Sequence, residues 1–131
     1  MCSHPKMTAG KFLNSFKHAL DGAWYVLHTQ RNACIHLVVA VVVIVMGLWV
    51  GLSRIEWSIL ALTIAMVLVA EWFNTVAEVV IDLVTTEYHP LARIAKDVAA
   101  GAVLLAALTA IVVGLLILGL PVYHSILALF R

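Results

Sequence analysis

Two stretches of the chain, Ile35–Leu52 and Val98–Tyr123, contain no Asp, Glu, Lys or Arg. A helix crosses a hydrocarbon layer of about 30 Å in roughly 17–25 residues, so either run is long enough to span it. Between them, Trp57–Ala70 is apolar but too short to cross alone. A complete crossing there continues to Val84 and takes in Glu71, Asn74, Glu78 and Asp82. In lipid, backbone polar groups must pair within the segment, and the pattern has no β-barrel period. It predicts three spanning helices at about 32–52, 56–84 and 95–120.

A different pattern precedes the first span. Phe12, Phe16, Leu20, Ala23 and Leu27 recur every three or four residues, with Lys11, Asn14, His18, Asp21, Tyr25 and His28 on the opposite face. That is an amphipathic helix, about 8–29, lying on a membrane surface with its apolar side down. Thr8 is its expected N-cap. "TQRNACIH" then turns the chain into the bilayer. The short connection "GLSRIEW" makes the first two spans an antiparallel hairpin, with Trp49 and Trp57 at the outer interface. Pro90, in "TTEYHPLARIAKD", is expected to break the helix near Tyr88–His89. In the last span Ala102, Ala106, Ala110 and Gly114 repeat every four residues, a small-residue stripe against which another helix can pack closely. The residues after Pro121 form a tail amphipathic enough to cap the far interface. No internal repeat or linker interrupts the 131 residues, which read as a single domain.

Composition agrees. The chain is 64% hydrophobic and 11% charged. Soluble domains run at about half and about a quarter. The fold class is therefore all-α integral membrane. With three crossings, Lys6, Lys11, Lys17, Arg31, Arg93 and Lys96 share one side, leaving Arg54 and Arg131 on the other. By the positive-inside rule the N-terminus is cytoplasmic. Cys2 and Cys34 fall on that same reducing side, where a disulfide is not expected. The polar N-terminal stretch lacks a signal-peptide pattern. Basic residues are too few and scattered for nucleic-acid binding.

The candidate chemistry lies in the middle span. At about 100° per residue, Glu71, Asn74, Glu78 and Asp82 fall within about 80° of one another, a single polar stripe. A charge at the bilayer centre costs on the order of 2.5–3.5 kcal/mol by insertion scales, so these acids must be buried against protein, paired, or bound to a cation. A purely structural reading pairs them with Lys96 and Arg93, the only nearby bases. Two bases cannot neutralise Glu71, Glu78, Asp82, Glu87 and Asp97. A surplus of carboxylates suits Mg²⁺, which takes one or two of them together with water and phosphate oxygens. One acid could bind metal near the cytoplasm while the deeper, poorly solvated Glu71 accepts a proton from a lipid hydroxyl. Lys96 and Asp97 open the third span, where a Lys suits phosphate. Soluble phosphate-binding signatures such as GxxxxGK[ST] and GxGxxG are absent.

"AEWFNTVAEVVIDLVTTEYHPLARIAKDVAAGAVLLAA" resembles the signature of the prokaryotic diacylglycerol kinase family: E-x-x-N-x-x-x-E-x-x-x-D, then E-Y-H, then A-K-D. "RNACIH", "GLSRIEW" and "HPLARIAKDVAAGAVLL" are most similar to its undecaprenol kinase branch, and the likeness runs from about Phe12 to Leu116. The resemblance implies a homotrimer of subunits with one surface helix and three spans. It implies transfer of the γ-phosphate of ATP, with Mg²⁺, to a lipid alcohol in sites shared between subunits. It also implies Glu71 as general base, Glu78 as metal ligand, and Asn74 and Asp82 as supporting polar positions. Glu87, Tyr88, His89, Lys96, Asp97 and, on the surface helix, Lys11 would meet nucleotide, as would Glu78 through its metal. The family has an acidic metal ligand where "HTQRN" has Gln30; an amide oxygen can ligate but brings no charge. Undecaprenol is the expected acceptor. Diacylglycerol, giving phosphatidic acid, presents a primary hydroxyl at the same depth and stays open. A non-catalytic nucleotide- or lipid-binding relative impaired at Gln30 is a reading of another class. An ion pathway fits less well, because the stripe stops halfway, with nothing titratable in Trp57–Ala70.

Overall fold

A computed structural model describes residues 9–130. Cys2, Lys6, Arg131 and the expected N-cap Thr8 lie outside the described residues. The described residues form four helices: α1 (Ala9–Thr29), α2 (Arg31–Val50), α3 (Arg54–Val84) and α4 (Pro90–Leu129). The last three are each long and apolar enough to cross a membrane.

A single residue separates α1 from α2. Gln30 is extended (φ −109°, ψ 107°), and its side chain makes no capping bond to the helix it precedes. Its amide reaches α3 instead. Only the C-terminal end of α1 packs on the other helices: Val26 is buried, whereas Phe12, Phe16 and Leu20 of the expected apolar face are exposed.

The α2–α3 hairpin is fixed by two local devices. Gly51 closes α2 in the left-handed conformation (φ 74°, ψ 54°), its N–H donating to the Gly47 carbonyl; this is the usual helix stop where a side chain would be strained. Ser53 then opens α3 with a reciprocal capping box. Ser53 N–H donates to Glu56 Oε2 at 2.7 Å, and Glu56 N–H donates to Ser53 Oγ at 3.3 Å. Gly47 lets the hairpin close, since a Cβ there would stand 2.9 Å from Leu52 Cδ1 and 3.1 Å from the Trp57 ring.

The second connection behaves as Pro90 dictates. His89 is forced into extended backbone (φ −131°, ψ 127°), and its ring Nδ1 accepts the Leu91 N–H at 3.3 Å. Pro90 occupies the first helical turn, where its missing N–H costs nothing. α4 extends past the predicted third span, 95–120, at both ends: it starts at Pro90 and runs through Pro121 to Leu129. A Pro inside a helix removes one backbone bond, a loss that membrane spans tolerate when neighbouring groups or local helix adjustments re-satisfy the freed carbonyl. The tail after Pro121 is a continuation of α4. The helix has 40 residues. At about 1.5 Å per residue it is about 60 Å long, so at ordinary tilts it projects past a hydrocarbon layer of about 30 Å.

α3 packs most extensively on α4, with Leu60, Val67, Val103, Ala106, Ile117 and Leu118 among the buried side chains. α2 meets both less closely. The three helices leave an apolar cleft of about 580 Å³ between them, lined by Val39, Val43, Leu60, Val67, Ala110 and Leu115 among others, with His36 at one end. Of the small-residue stripe, Ala106 is buried and Ala102 is exposed, while Ala110 and Gly114 face the cleft and carry no packed helix.

Gly51→Ala forces a Cβ into a left-handed position and is expected to lower stability by about 1–2 kcal/mol. Denaturant titration of the purified protein in micelles measures this, and an unchanged midpoint would contradict the cap.

Candidate active site

The stripe on α3 descends from a buried end to an exposed one. Glu71 is 1% exposed and Asn74 8%, Glu78 is half-buried and Asp82 is exposed. Each acid has a different kind of partner.

Glu71 meets His36 of α2, whose Nε2 lies 3.2 Å from Oε1. The ring N–H is not aligned for a hydrogen bond, and Oε1 has no other partner. Thr75 Oγ donates back to the Glu71 carbonyl at 3.0 Å, tying the following turn to the base of this side chain. Glu78 is held by two amides: Gln30 Nε2 donates to Oε2 at 2.8 Å, and Asn74 Nδ2 donates to Oε1 at 3.1 Å. The Gln30 bond joins positions 48 residues apart. The extended backbone at Gln30 lets that side chain leave its own helix end for α3. Asp82 accepts from Lys96 Nζ of α4 at 2.6 Å. Arg93 pairs one turn along its own helix with Asp97, at 3.7 Å.

These pairings correct the sequence reading in one respect. Lys96 and Arg93 are not the only nearby bases, because packing of α2 on α3 brings His36 to the deepest acid. The signal was an imidazole at the start of an apolar run, in "RNACIH". Its distance from Glu71 in sequence hid the contact.

Beyond the stripe lies a hollow of about 320 Å³, lined by Asp82, the connection from Thr85 to His89, Arg93, Lys96 and Asp97. Glu87, Tyr88, His89, Lys96 and Asp97 are thus brought together around one space. Thr85 shapes it locally, its hydroxyl donating to the Glu87 carbonyl while accepting the Glu87 N–H, both at 3.2 Å. Lys11 lies exposed on α1 and lines neither this hollow nor the apolar cleft.

Among the described residues, no cluster of three or more His, Cys, Asp or Glu side chains is close enough to hold a metal. The fit for Mg²⁺ rests on a smaller set. With Lys96 and Arg93 engaged elsewhere, Glu78 has amide partners only, and Asn74 Oδ1 beside it is buried without a partner. One carboxylate beside the unpartnered amide oxygen of Asn74, with the Gln30 amide N–H turned toward it, is a donor set that Mg²⁺ accepts when phosphate and water complete its shell.

The sequence family described as prokaryotic diacylglycerol kinase matches residues 17–118. The chain belongs to this family. Its relatives include the undecaprenol kinase of Bacillus subtilis, 44% identical over 107 residues, which cover 82% of this chain and 87% of that one. A diacylglycerol kinase of Synechocystis sp. is 48% identical over 107 residues, covering 81% of this chain and 61% of the relative. The diacylglycerol kinase of Escherichia coli is 30% identical over 93 residues, covering 71% and 74%. The chain is accordingly a membrane lipid kinase, a phosphotransferase with an alcohol acceptor. As in a prokaryotic diacylglycerol kinase generally, its phosphoryl donor is ATP.

The Asp82–Lys96 pair is largely exposed on both sides. Asp82→Asn should therefore change the unfolding free energy by less than about 1 kcal/mol, because water and salt already screen the attraction. Thermal unfolding in micelles checks this; a larger loss would mean the pair is sheltered from solvent.

Proposed function

We propose that the chain transfers the γ-phosphate of ATP to the terminal hydroxyl of undecaprenol at the cytoplasmic face of a bacterial inner membrane, as a homotrimer. The observation that carries this reading is the division of the α3 stripe. A buried carboxylate, Glu71, lies two turns from a half-buried one, Glu78, whose partners bring no positive charge. An ordinary structural ion-pair set would place a base against each acid.

In the proposed reaction Glu71 accepts the proton of the lipid hydroxyl as its oxygen bonds to the γ-phosphorus. The bond from that phosphorus to the bridging oxygen breaks, and ADP leaves with the electron pair. Glu71 then returns the proton to solvent. Such transfers rest on positioning and charge stabilisation more than on covalent chemistry. Glu78, with the amides of Gln30 and Asn74, would hold Mg²⁺, which when bound neutralises charge on the phosphate oxygens. Lys96 stands at the hollow where Glu87, Tyr88, His89 and Asp97 would meet the nucleotide, with Asp82 fixing its ammonium group. Lys11 joins this set only if α1 of another subunit brings it there.

The N-terminal helix lies on the cytoplasmic surface in this reading, with exposed Phe12, Phe16 and Leu20 in the lipid interface. The trimer is supported by the cleft between α2, α3 and α4 and by Ala110 and Gly114 of the small-residue stripe, which line it. Undecaprenol is favoured because the similarity extends over 87% of the undecaprenol kinase but only 61% of the Synechocystis diacylglycerol kinase. Diacylglycerol is the second reading, favoured by the higher identity to that second relative, 48% against 44%.

Both acceptors are to be offered side by side in micelles with labelled ATP. The proposal expects label in undecaprenyl phosphate in excess over phosphatidic acid. Glu71→Gln is expected to lose at least about a hundredfold in rate while the oligomer stays intact. No labelled lipid of either kind would overturn the kinase assignment, and preferred phosphatidic acid would select the second reading.

A further inference from the structure

Glu71 is the most completely buried large side chain among the described residues, and it is a carboxylate. A carboxylate so placed has two free torsions beyond χ1 and two equivalent oxygens, so a lone Glu would present neither oxygen in a fixed direction. The groups around it are few. Thr75 bonds to its backbone and not to the carboxylate. Asn74 directs its N–H at Glu78. Lys96 and Arg93 are paired with Asp82 and Asp97. Glu78 faces the same side two turns along and repels it. The one side chain in reach of Oε1 is His36, at 3.2 Å, its own side chain 22% exposed against 2% for that of Glu71.

His36 also lines the end of the apolar cleft between α2, α3 and α4. It is the only ionisable group among the cleft's lining residues, the other polar side chain being Thr63. The Thr63 hydroxyl is already committed to the Ile59 carbonyl at 2.8 Å. One imidazole therefore touches both the candidate base and the apolar space beside it.

We propose that His36 is a positioning residue for phosphoryl transfer: its Nε2 sets which way the Glu71 carboxylate points, leaving the other oxygen, Oε2, for the lipid hydroxyl. This rests on the kinase reading with Glu71 as base. The apo contact is unaligned and tightens when a substrate fixes the carboxylate, as such contacts commonly do. Small displacements of a positioned group are costly in rate, on the order of a hundredfold for about 1 Å. A group that acts only by aiming Glu71 affects the chemical step and leaves nucleotide affinity alone.

Two neutral amides separate aiming from mere filling of space. His36→Gln sets an amide nitrogen close to where Nε2 stands, whereas His36→Asn reaches only as far as Nδ1 and falls short of Glu71. Steady-state kinetics in micelles, with undecaprenol or diacylglycerol as acceptor, give kcat and the KM for Mg·ATP for each variant, beside the melting temperature. The expected result is a kcat lowered roughly 10- to 100-fold in His36→Asn, most of it regained in His36→Gln, with KM for Mg·ATP unchanged in both. In a Glu71→Gln background, His36→Asn should cause no further loss of the residual rate, because there is no carboxylate left to aim. Equal rates in Asn and Gln variants, whether both full or both low, overturn the positioning role, as does an additive loss in the Glu71→Gln background. An unaltered chain inactive on both lipids overturns the kinase reading itself and takes the role of His36 with it. Activity in that chain with the Asn variant undiminished removes His36 alone.

Discussion

An acidic side chain inside an apolar helix bundle has lost its water, and something else must stabilise it. Every feature of the candidate site follows from how α3 meets that constraint at three depths. At the buried end Glu71 has an imidazole from α2. In the middle Glu78 has two amides and no cation. At the exposed end Asp82 has an ammonium from α4, in a geometry that water largely screens. Desolvation falls along the stripe, yet the closest ion pair is at the exposed end, and the most buried acid has only the unaligned imidazole. The step that does not fit a purely structural scheme is the middle one. Amide donors orient Glu78 without neutralising it, which leaves room for a divalent ion and phosphate.

Local backbone devices far from any chemistry make those partnerships possible. Gln30 interrupts the helix for one residue and caps nothing, so its amide is free to reach α3. Gly51 and the Ser53–Glu56 box reverse the chain within a few residues, which brings the start of α2, and with it His36, level with the far half of α3. Pro90 starts α4 early enough that Lys96 comes after nearly two turns of helix, within reach of Asp82. Each device is worth only about 1 kcal/mol or so. Their larger effect is on which side chains meet.

The residues differ in how far the sequence alone could place them. The three apolar runs and the stripe on α3 were readable because hydrophobic length and helical period are properties of a local segment. So were the connection at Pro90 and the hairpin at "GLSRIEW", since turn chemistry is local too. Contacts between helices were not. His36 lies far before Glu71 in an otherwise apolar run, and no periodicity links them. The Gln30–Glu78 bond spans 48 positions. The family resemblance singled out both residues but could not show that an amide N–H, and not an oxygen, faces the carboxylate. Hydropathy marks what lies in lipid, whereas the helix is set by backbone bonding, so α4 continues at both ends beyond the predicted span into sequence with weaker apolar signal. Pro121 does not end the helix, which continues to Leu129.

The central claim is the division of labour between Glu71 and Glu78, and binding without turnover tests it most directly. A non-hydrolysable ATP analogue, titrated against the protein in micelles with and without Mg²⁺, should raise the melting temperature only when Mg²⁺ is present. Glu78→Gln should lose that shift, while Glu71→Gln should keep it in full. A shift that is independent of Mg²⁺, or one that survives Glu78→Gln and disappears in Glu71→Gln, would contradict the assignment.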